Sequence, residues 1–73
     1  MQKTLKELRE ASGLTQLEVA YKLGVTPQTV YMWETGRREP LARIFVDMAR
    51  LYGVSPFDIA LPKPDVQPKK AAA

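Results

Sequence analysis

Two residue types that carry much of enzyme chemistry are missing from this sequence of 73 residues, which contains no histidine and no cysteine. Their absence removes the commonest general base, thiol nucleophiles, disulfides and the usual zinc sites. Ser12 and Ser55 are the only serines, the carboxylates are scattered, and no glycine-rich phosphate loop is present. We therefore expect a protein that is not an enzyme and that holds no metal or other cofactor.

The chemistry that remains is hydrogen bonding and positive charge, and it is concentrated between residues 26 and 43. The segment TPQTVYMWETGRR spans residues 26–38. If it is helical, Val30 and Trp33 share one face, while Gln28, Tyr31 and Met32 fall on the other. The second face carries an aromatic and a methionine side chain that a small core does not need.

Arginines follow this segment closely, because Arg37, Arg38 and Arg43 lie within seven positions. The formal net charge is +3, but residues 62–73 contribute +2 of it, which leaves +1 for residues 1–61. Bulk charge is therefore weak evidence for a nucleic-acid partner. A local arginine cluster can still attract phosphate groups.

The starts and ends of helices are marked clearly in this sequence. The S/T-x-x-E/D pattern of a capped helix start occurs three times, and Thr26 followed by Pro27 marks a fourth start. Pro40 suggests a fifth, and glycines that can end helices stand at positions 13, 24, 36 and 53. The three capping patterns pair Thr4 with Glu7, Thr15 with Glu18, and Ser55 with Asp58. The predicted helices span about residues 4–12, 15–23, 26–35, 41–52 and 56–61.

The predicted fold is a compact, all-α domain over residues 1–61, because no segment shows strand alternation between hairpin turns. Residues 62–73 (PKPDVQPKKAAA) contain three prolines and little apolar surface, which predicts a disordered tail. No apolar run is long enough to span a bilayer, and the N-terminal MQKTLKELRE is too charged for a signal peptide. These features favour a cytoplasmic protein with no membrane association.

The second and third predicted helices are joined by Gly24 and Val25 alone, so the chain must turn sharply there. Ala20 is small enough to let the two helices approach closely. A sharp turn followed by a helix with a polar and aromatic outer face is typical of a helix-turn-helix. The alternative is a structural αα-corner, which the turn geometry alone would also suit.

Four motifs occur in order: GLTQ (13–16), A-x-x-x-G-V-T (20–26), W-E-x-G (33–36) and Y-G-V-S (52–55). Together they resemble the Cro and phage-repressor type of helix-turn-helix (the XRE family) over about residues 4–61. The resemblance implies a five-helix DNA-binding domain with its third helix in the major groove of double-stranded DNA. It also implies a dimer.

Two charged residues lie on apolar helix faces. Arg9 follows Leu5 by four residues, and Glu34 follows Val30 by four and stands beside Trp33. We expect an ion pair between Arg9 and Glu34, an arrangement that the resembling family uses. The alternative is that both side chains extend to solvent.

The residues expected to contact DNA bases lie near the start of the third helix: Pro27, Gln28, Tyr31 and Met32. The amide of Gln28 matches adenine N6 and N7, while Pro27 lacks a donor and can offer only an apolar contact. Met32 and Tyr31 could pack on thymine methyl groups. The alternative is that Tyr31 and Met32 form a protein-binding patch.

The residues expected to contact phosphates surround this helix: Gln16, Thr26, Arg37, Arg38 and Arg43. Gln16 stands at the positive end of the second helix, where the family places a glutamine against the DNA backbone. The arginines would raise affinity for any sequence. The alternatives are that the exposed amide of Gln16 contacts no phosphate and that the arginines are simply solvated at the protein surface.

The fourth predicted helix is apolar over about two-thirds of its circumference, which is more than one core contact requires. We expect a homodimer face formed by Leu41, Ile44, Leu51, Phe57 and Leu61. A dimer would read a palindromic operator with two copies of the third helix. Incidental exposure of single apolar residues is the alternative.

The sequence therefore predicts a sequence-specific DNA-binding regulator of transcription that represses by occupying an operator. The alternative function is a protein-interaction module on the same fold, as in antitoxins and coactivator-type relatives.

Overall fold

The structure is a computed structural model that describes residues 2–62. This part of the chain forms four α-helices, one short 3-10 turn and one pair of short strands. The helices are α1 (Leu5–Ala11), α2 (Gln16–Leu23), α3 (Pro27–Thr35) and α4 (Ala42–Tyr52). The 3-10 turn is Pro56–Asp58, and the strands are β1 (Lys3–Thr4) and β2 (Ile59–Ala60).

The predicted starts of the first three helices are confirmed by their capping hydrogen bonds. Thr4 and Thr15 each form a complete capping box with the glutamate three residues later. Thr26 caps α3 by accepting a hydrogen bond from the backbone N–H of Thr29, and Pro27 occupies the first turn. Each interaction satisfies N–H groups that a helix start leaves without a partner in the helix.

The prediction of a fifth helix at residues 56–61 was wrong. Ser55 Oγ accepts a hydrogen bond from the N–H of Phe57 and not from Asp58, so only a three-residue 3-10 turn forms. The chain then becomes extended and pairs in parallel with β1, with Lys3 opposite Ile59 and Thr4 opposite Ala60. Pro62 disfavours helical backbone in the residue before it, and β-branched Ile59 suits a strand.

The sequence analysis predicted an all-α domain without strands, and the pairing of β1 with β2 corrects this prediction. Two-residue strands are too short to show the alternation from which strands are recognised. The strand pair nevertheless has a clear effect on the fold, because it joins the segment before α1 to the segment after α4. The described chain is mostly helical.

The core draws side chains from all four helices and from β2. Its buried members are Leu5, Leu8, Val19, Ala20, Val30, Trp33, Met48, Ala49 and Ile59. Val19 and Ala20 of α2 are completely buried, which places α2 at the centre of the packing. Helices α2 and α3 pack directly on one another. The core therefore holds the two helices of the turn in a fixed relation.

The predicted disordered tail, residues 62–73, lies outside the described residues except for Pro62. Among the residues that the structure describes, no helix is long and apolar enough to cross a membrane. The same residues contain no cluster of three or more carboxylate, histidine or cysteine side chains that could hold a metal ion.

Candidate nucleic-acid interface

The turn between α2 and α3 has the geometry that the sequence predicted. Gly24 adopts a left-handed conformation with φ 75°, which residues with a Cβ rarely adopt. The N–H of Val25 donates to the carbonyl of Ala20 at 2.9 Å, which closes the end of α2. The next residue, Thr26, is the N-cap of α3, which begins at Pro27. The turn fixes the direction in which α3 leaves the core.

Helix α3 divides into a buried and an exposed face. Val30 and Trp33 are buried, and Trp33 is only 4% exposed to solvent. Pro27, Gln28 and Tyr31 are exposed. Met32 is partly buried, so it presents less surface to a partner than the other three candidates for base contact. The exposed face carries donor, acceptor and apolar groups on one rigid element.

The cationic side chains predicted to contact phosphate lie at the surface beyond α3. Gly36 ends the helix with φ 82°, and the N–H groups of Arg37 and Arg38 both donate to the carbonyl of Met32. The side chains of Arg37 and Arg38 are exposed, as is that of Arg43 in the first turn of α4. The backbone of this loop is thus fixed to the end of α3.

The expected ion pair between Arg9 and Glu34 is present. Arg9 Nε donates to Glu34 Oε2 at 2.6 Å, and Arg9 Nη2 donates to Glu34 Oε1 at 3.3 Å. The side chains are only 12% and 4% exposed, respectively. A third bond runs from Arg9 Nη1 to the carbonyl of Leu14 at 3.0 Å, in the loop between α1 and α2. The guanidinium therefore ties α1 to that loop and to the last turn of α3.

Gln16 lies in the same cluster, which the sequence did not predict. Its Nε2 donates to Glu34 Oε1 at 3.0 Å, and the residue is partly exposed. The predicted phosphate contact therefore starts from an amide that already has one protein partner. No sequence signal links Gln16 with Glu34, because the contact depends on how α2 and α3 pack.

The cluster changes the acidity of two groups. The hydrogen bond to Glu34 raises the pKa of Arg9 most, burial opposes it, and the negative charge of Glu34 adds to the rise. Burial raises the pKa of Tyr52 from 10.0 to about 12; the charge of Glu34 adds to this rise and that of Arg9 opposes it. Arg9 thus stays charged beside its carboxylate, and the phenol of Tyr52 stays neutral at any physiological pH.

The predicted dimer residues do not form one uniformly exposed face. Leu41 and Phe57 are 76% and 86% exposed, and Leu61 is also exposed. Ile44 and Leu51 are partly buried against the core, so each offers only part of its side chain to an interface. An open groove of about 550 Å³ lies between α3 and the start of α4, with Thr29, Trp33, Leu41 and Ile44 among its lining residues.

The sequence analysis did not identify a second apolar surface, which lies on α2. Leu17 and Tyr21 of α2 are 65% and 87% exposed. They are four residues apart, on the side of α2 away from Val19 and Ala20. That spacing was visible in the sequence. We call this pair the α2 surface.

Comparisons with known proteins agree with this geometry. A family model described as helix-turn-helix matches residues 5–59. An uncharacterised HTH-type transcriptional regulator of Methanocaldococcus jannaschii is 35% identical over 65 residues, which is 89% of this chain and 98% of the relative. Another from Methanothermobacter thermautotrophicus is 40% identical over 53 residues, covering 73% of this chain and 77% of the relative.

A relative with a different name is also similar. The putative multi-protein-binding factor 1 of Yarrowia lipolytica is 39% identical over 56 residues, which is 74% of this chain but only 37% of the relative. No solved structure matches the chain. The matched helix-turn-helix covers most of the chain and includes the turn, the exposed face of α3 and the arginines beyond it. The chain belongs to the helix-turn-helix family, in the Cro and phage-repressor group of DNA-binding transcription regulators that its motifs resemble.

Proposed function

We propose that this protein binds double-stranded DNA in a sequence-specific manner and represses transcription by occupying an operator. The observation that carries the proposal is the exposed face of α3. Pro27, Gln28 and Tyr31 are exposed on a helix whose opposite face is anchored by Val30 and Trp33. A helix held in this way can enter the major groove without changing shape.

Base recognition is assigned to Pro27, Gln28, Tyr31 and Met32. Gln28 supplies the hydrogen bonds, because its amide can both donate to N7 and accept from N6 of adenine. Tyr31 and the exposed part of Met32 supply apolar contacts to thymine methyl groups. Pro27 supplies only an apolar contact, since it has no N–H to donate.

Phosphate binding is assigned to residues on either side of α3: Gln16, Thr26, Arg37, Arg38 and Arg43. The three arginines are exposed and follow the end of the helix, where long cationic side chains can reach the backbone of DNA. Each arginine that neutralises a phosphate makes the affinity fall more steeply with salt. Thr26 also caps α3, so its hydroxyl is held at the end of the helix that is proposed to enter the major groove of DNA.

The functional unit is proposed to be a homodimer on a palindromic operator. One nine-residue helix reads few base pairs, whereas two copies about one DNA turn apart read a longer site. Leu41 and Phe57 are the most exposed apolar side chains of the predicted face, and Leu41 stands at the edge of the groove beside α3. The proposed dimer face also includes Leu61 and the exposed parts of Ile44 and Leu51. The location that fits this function is the cytoplasm, on chromosomal DNA.

Selection of binding sites from a random duplex library tests the proposal. We expect an enriched palindrome whose half-sites are about one DNA turn apart. The Gln28→Ala variant is expected to lose preference at one position of each half-site, at a cost of about 1–3 kcal/mol. The Arg38→Ala variant is expected to bind all sequences more weakly and to reduce the salt slope by about 1. Absence of any enriched site would refute sequence-specific binding.

A second function, binding of a protein partner, is favoured by one observation. The α2 surface exposes Leu17 and Tyr21, and the Yarrowia relative is named as a multi-protein-binding factor. Partner binding through this surface would be insensitive to salt and would be lost in Tyr21→Ser. DNA binding with full affinity in Tyr21→Ser would show that the two functions use different surfaces.

A further inference from the structure

Three helices meet at the carboxylate of Glu34, which lies in the last turn of α3. It accepts hydrogen bonds from Arg9 of α1 at 2.6 and 3.3 Å and from Gln16 of α2 at 3.0 Å. The side chain of Glu34 is almost fully buried, whereas Gln16 is partly exposed. Gln16 is therefore the member of this cluster that can reach a partner outside the protein.

The carboxylate determines which way the Gln16 amide points. A carboxylate only accepts hydrogen bonds, so it must face the NH₂ group of the amide and not the oxygen. The NH₂ group has two hydrogens, and Glu34 engages one of them. A phosphate also only accepts, so the second hydrogen is the side-chain donor that Gln16 keeps for it. The opposite orientation would present the amide oxygen to the phosphate and would repel it.

The charge of the cluster is as important as its geometry. A bare carboxylate one hydrogen bond away from Gln16 would repel an approaching phosphate. Arg9 donates two hydrogen bonds to that carboxylate and neutralises it. Tyr52, which interacts electrostatically with both members of the pair, adds no negative charge, since burial raises the pKa of its phenol further above the physiological range, to about 12. Glu34 can thus orient Gln16 without making the surface around it negative.

We propose that Glu34 is a positioning residue for DNA binding: its carboxylate, neutralised by Arg9, holds the amide of Gln16 with one N–H ready for a DNA phosphate. This inference rests on the DNA binding proposed above. It gives the ion pair a role in binding in addition to its role in stability. The side chain of Gln16 is already ordered before DNA binds, so less conformational entropy is lost on binding.

The test compares the effect of Gln16→Ala in two backgrounds. One is the natural chain, and the other is Arg9→Met/Glu34→Met, in which apolar side chains replace the ion pair and no buried charge is left alone. The dissociation constant is measured on one duplex obtained from the library selection. Circular dichroism and denaturation establish that each variant is folded. Arg43→Ala is the control, because it removes a proposed phosphate contact from the exposed surface of α4, outside the Glu34 cluster.

We expect Gln16→Ala to weaken binding about tenfold in the natural chain, as loss of one hydrogen bond to a charged group predicts. In the Met/Met background the same substitution is expected to weaken binding less than twofold. The control Arg43→Ala is expected to weaken binding by the same factor in both backgrounds. The salt slope should stay unchanged in Gln16→Ala, since an amide carries no charge.

Nitrogen-15 relaxation of the Gln16 side-chain amide provides a measurement that needs no DNA. The amide is expected to be rigid in the natural chain and mobile in the Met/Met background. An equal loss of affinity from Gln16→Ala in both backgrounds would overturn the proposal, as would no loss in the natural chain while Arg43→Ala still weakens binding. A protein that binds no duplex at all would overturn both this role and the proposed function.

Discussion

Loss of Arg9 is predicted to destabilise the protein more than loss of Glu34. The Arg9→Met substitution removes both hydrogen bonds to Glu34 and the donor that satisfies the carbonyl of Leu14. It leaves a carboxylate that is 4% exposed with Gln16 as its remaining donor in this cluster. Removing one partner of a buried pair costs about 3–5 kcal/mol, and we take about 3 kcal/mol because the guanidinium lies near the surface.

The Glu34→Met substitution should cost about 2 kcal/mol, because the remaining guanidinium keeps its bond to Leu14 and can reach water more easily than a buried carboxylate. The double variant should cost no more than Arg9→Met alone, since neither charge is then left without its partner. These values imply a coupling energy of about 2–3 kcal/mol between the two side chains. A domain of this size should lose about 4–8 °C of its melting temperature per kcal/mol.

Urea denaturation followed by helical circular dichroism measures all four proteins under identical conditions. Lys6→Met on α1 serves as the control for replacing a cationic helix residue, because Lys6 is exposed and should change the free energy of unfolding by less than about 0.5 kcal/mol. If the two single losses simply added in the double variant, the ion pair would contribute no coupling and the reasoning would be refuted. A smaller loss in Arg9→Met than in Glu34→Met would refute the predicted asymmetry.

Three further predictions follow from single residues. Because the folded-state pKa of Tyr52 is raised to about 12, its contribution to stability should be complete below pH 10 and should be lost as the pH rises toward 12. Denaturation at several alkaline pH values should show this loss in the natural chain and not in Tyr52→Phe; equal curves would contradict it. The Gly24→Ala substitution should cost about 1–2 kcal/mol, because the φ of 75° strains an alanine although the added Cβ has open space. Gly24→Asn should cost less in the same assay, and an alanine variant as stable as the natural chain would argue against the strain. Leu41→Lys should convert a dimer into a monomer in sedimentation experiments, while Tyr21→Ser should not; a dimer that survives Leu41→Lys would place the interface elsewhere.

Much of the local structure could be predicted because its causes are local. The capping boxes that begin with Thr4 and Thr15 each involve residues three positions apart, so the signal and the structure occupy the same few residues. The ion pair was also predictable, although its partners are 25 residues apart. Each charge interrupts an apolar helix face, where an unpaired charge would be costly to bury. Because the two charges are opposite, an ion pair between them is the simplest way to avoid that cost.

The features that were missed depend on contacts between distant segments. The pairing of Thr4 with Ala60 needs both ends of the domain to meet, and two-residue strands have no pattern to recognise. The bond between Gln16 and Glu34 depends on the packing of α2 against α3, which no spacing within either helix reveals. The partial burial of Ile44 and Leu51 has the same origin. A helical-wheel plot shows on which face of α4 a side chain lies, but not which other element packs against that face.

The ion pair also explains how a short recognition helix keeps its exact rotation. Helix α3 has nine residues, which is too few for an isolated helix to be stable in water. Val30 and Trp33 are its buried apolar anchors, and apolar packing alone tolerates small rotations about the helix axis. Glu34 is held by directional hydrogen bonds from α1 and α2, so a rotation of α3 would lengthen or bend them. Because the same rotation decides whether Gln28 or Tyr31 faces the floor of the groove, loss of the Glu34 contacts should blur base preference as well as lower stability. Site selection with the Arg9→Met/Glu34→Met variant would show this as a weaker consensus at the Gln28 position, and an unchanged consensus would show that Val30 and Trp33 suffice.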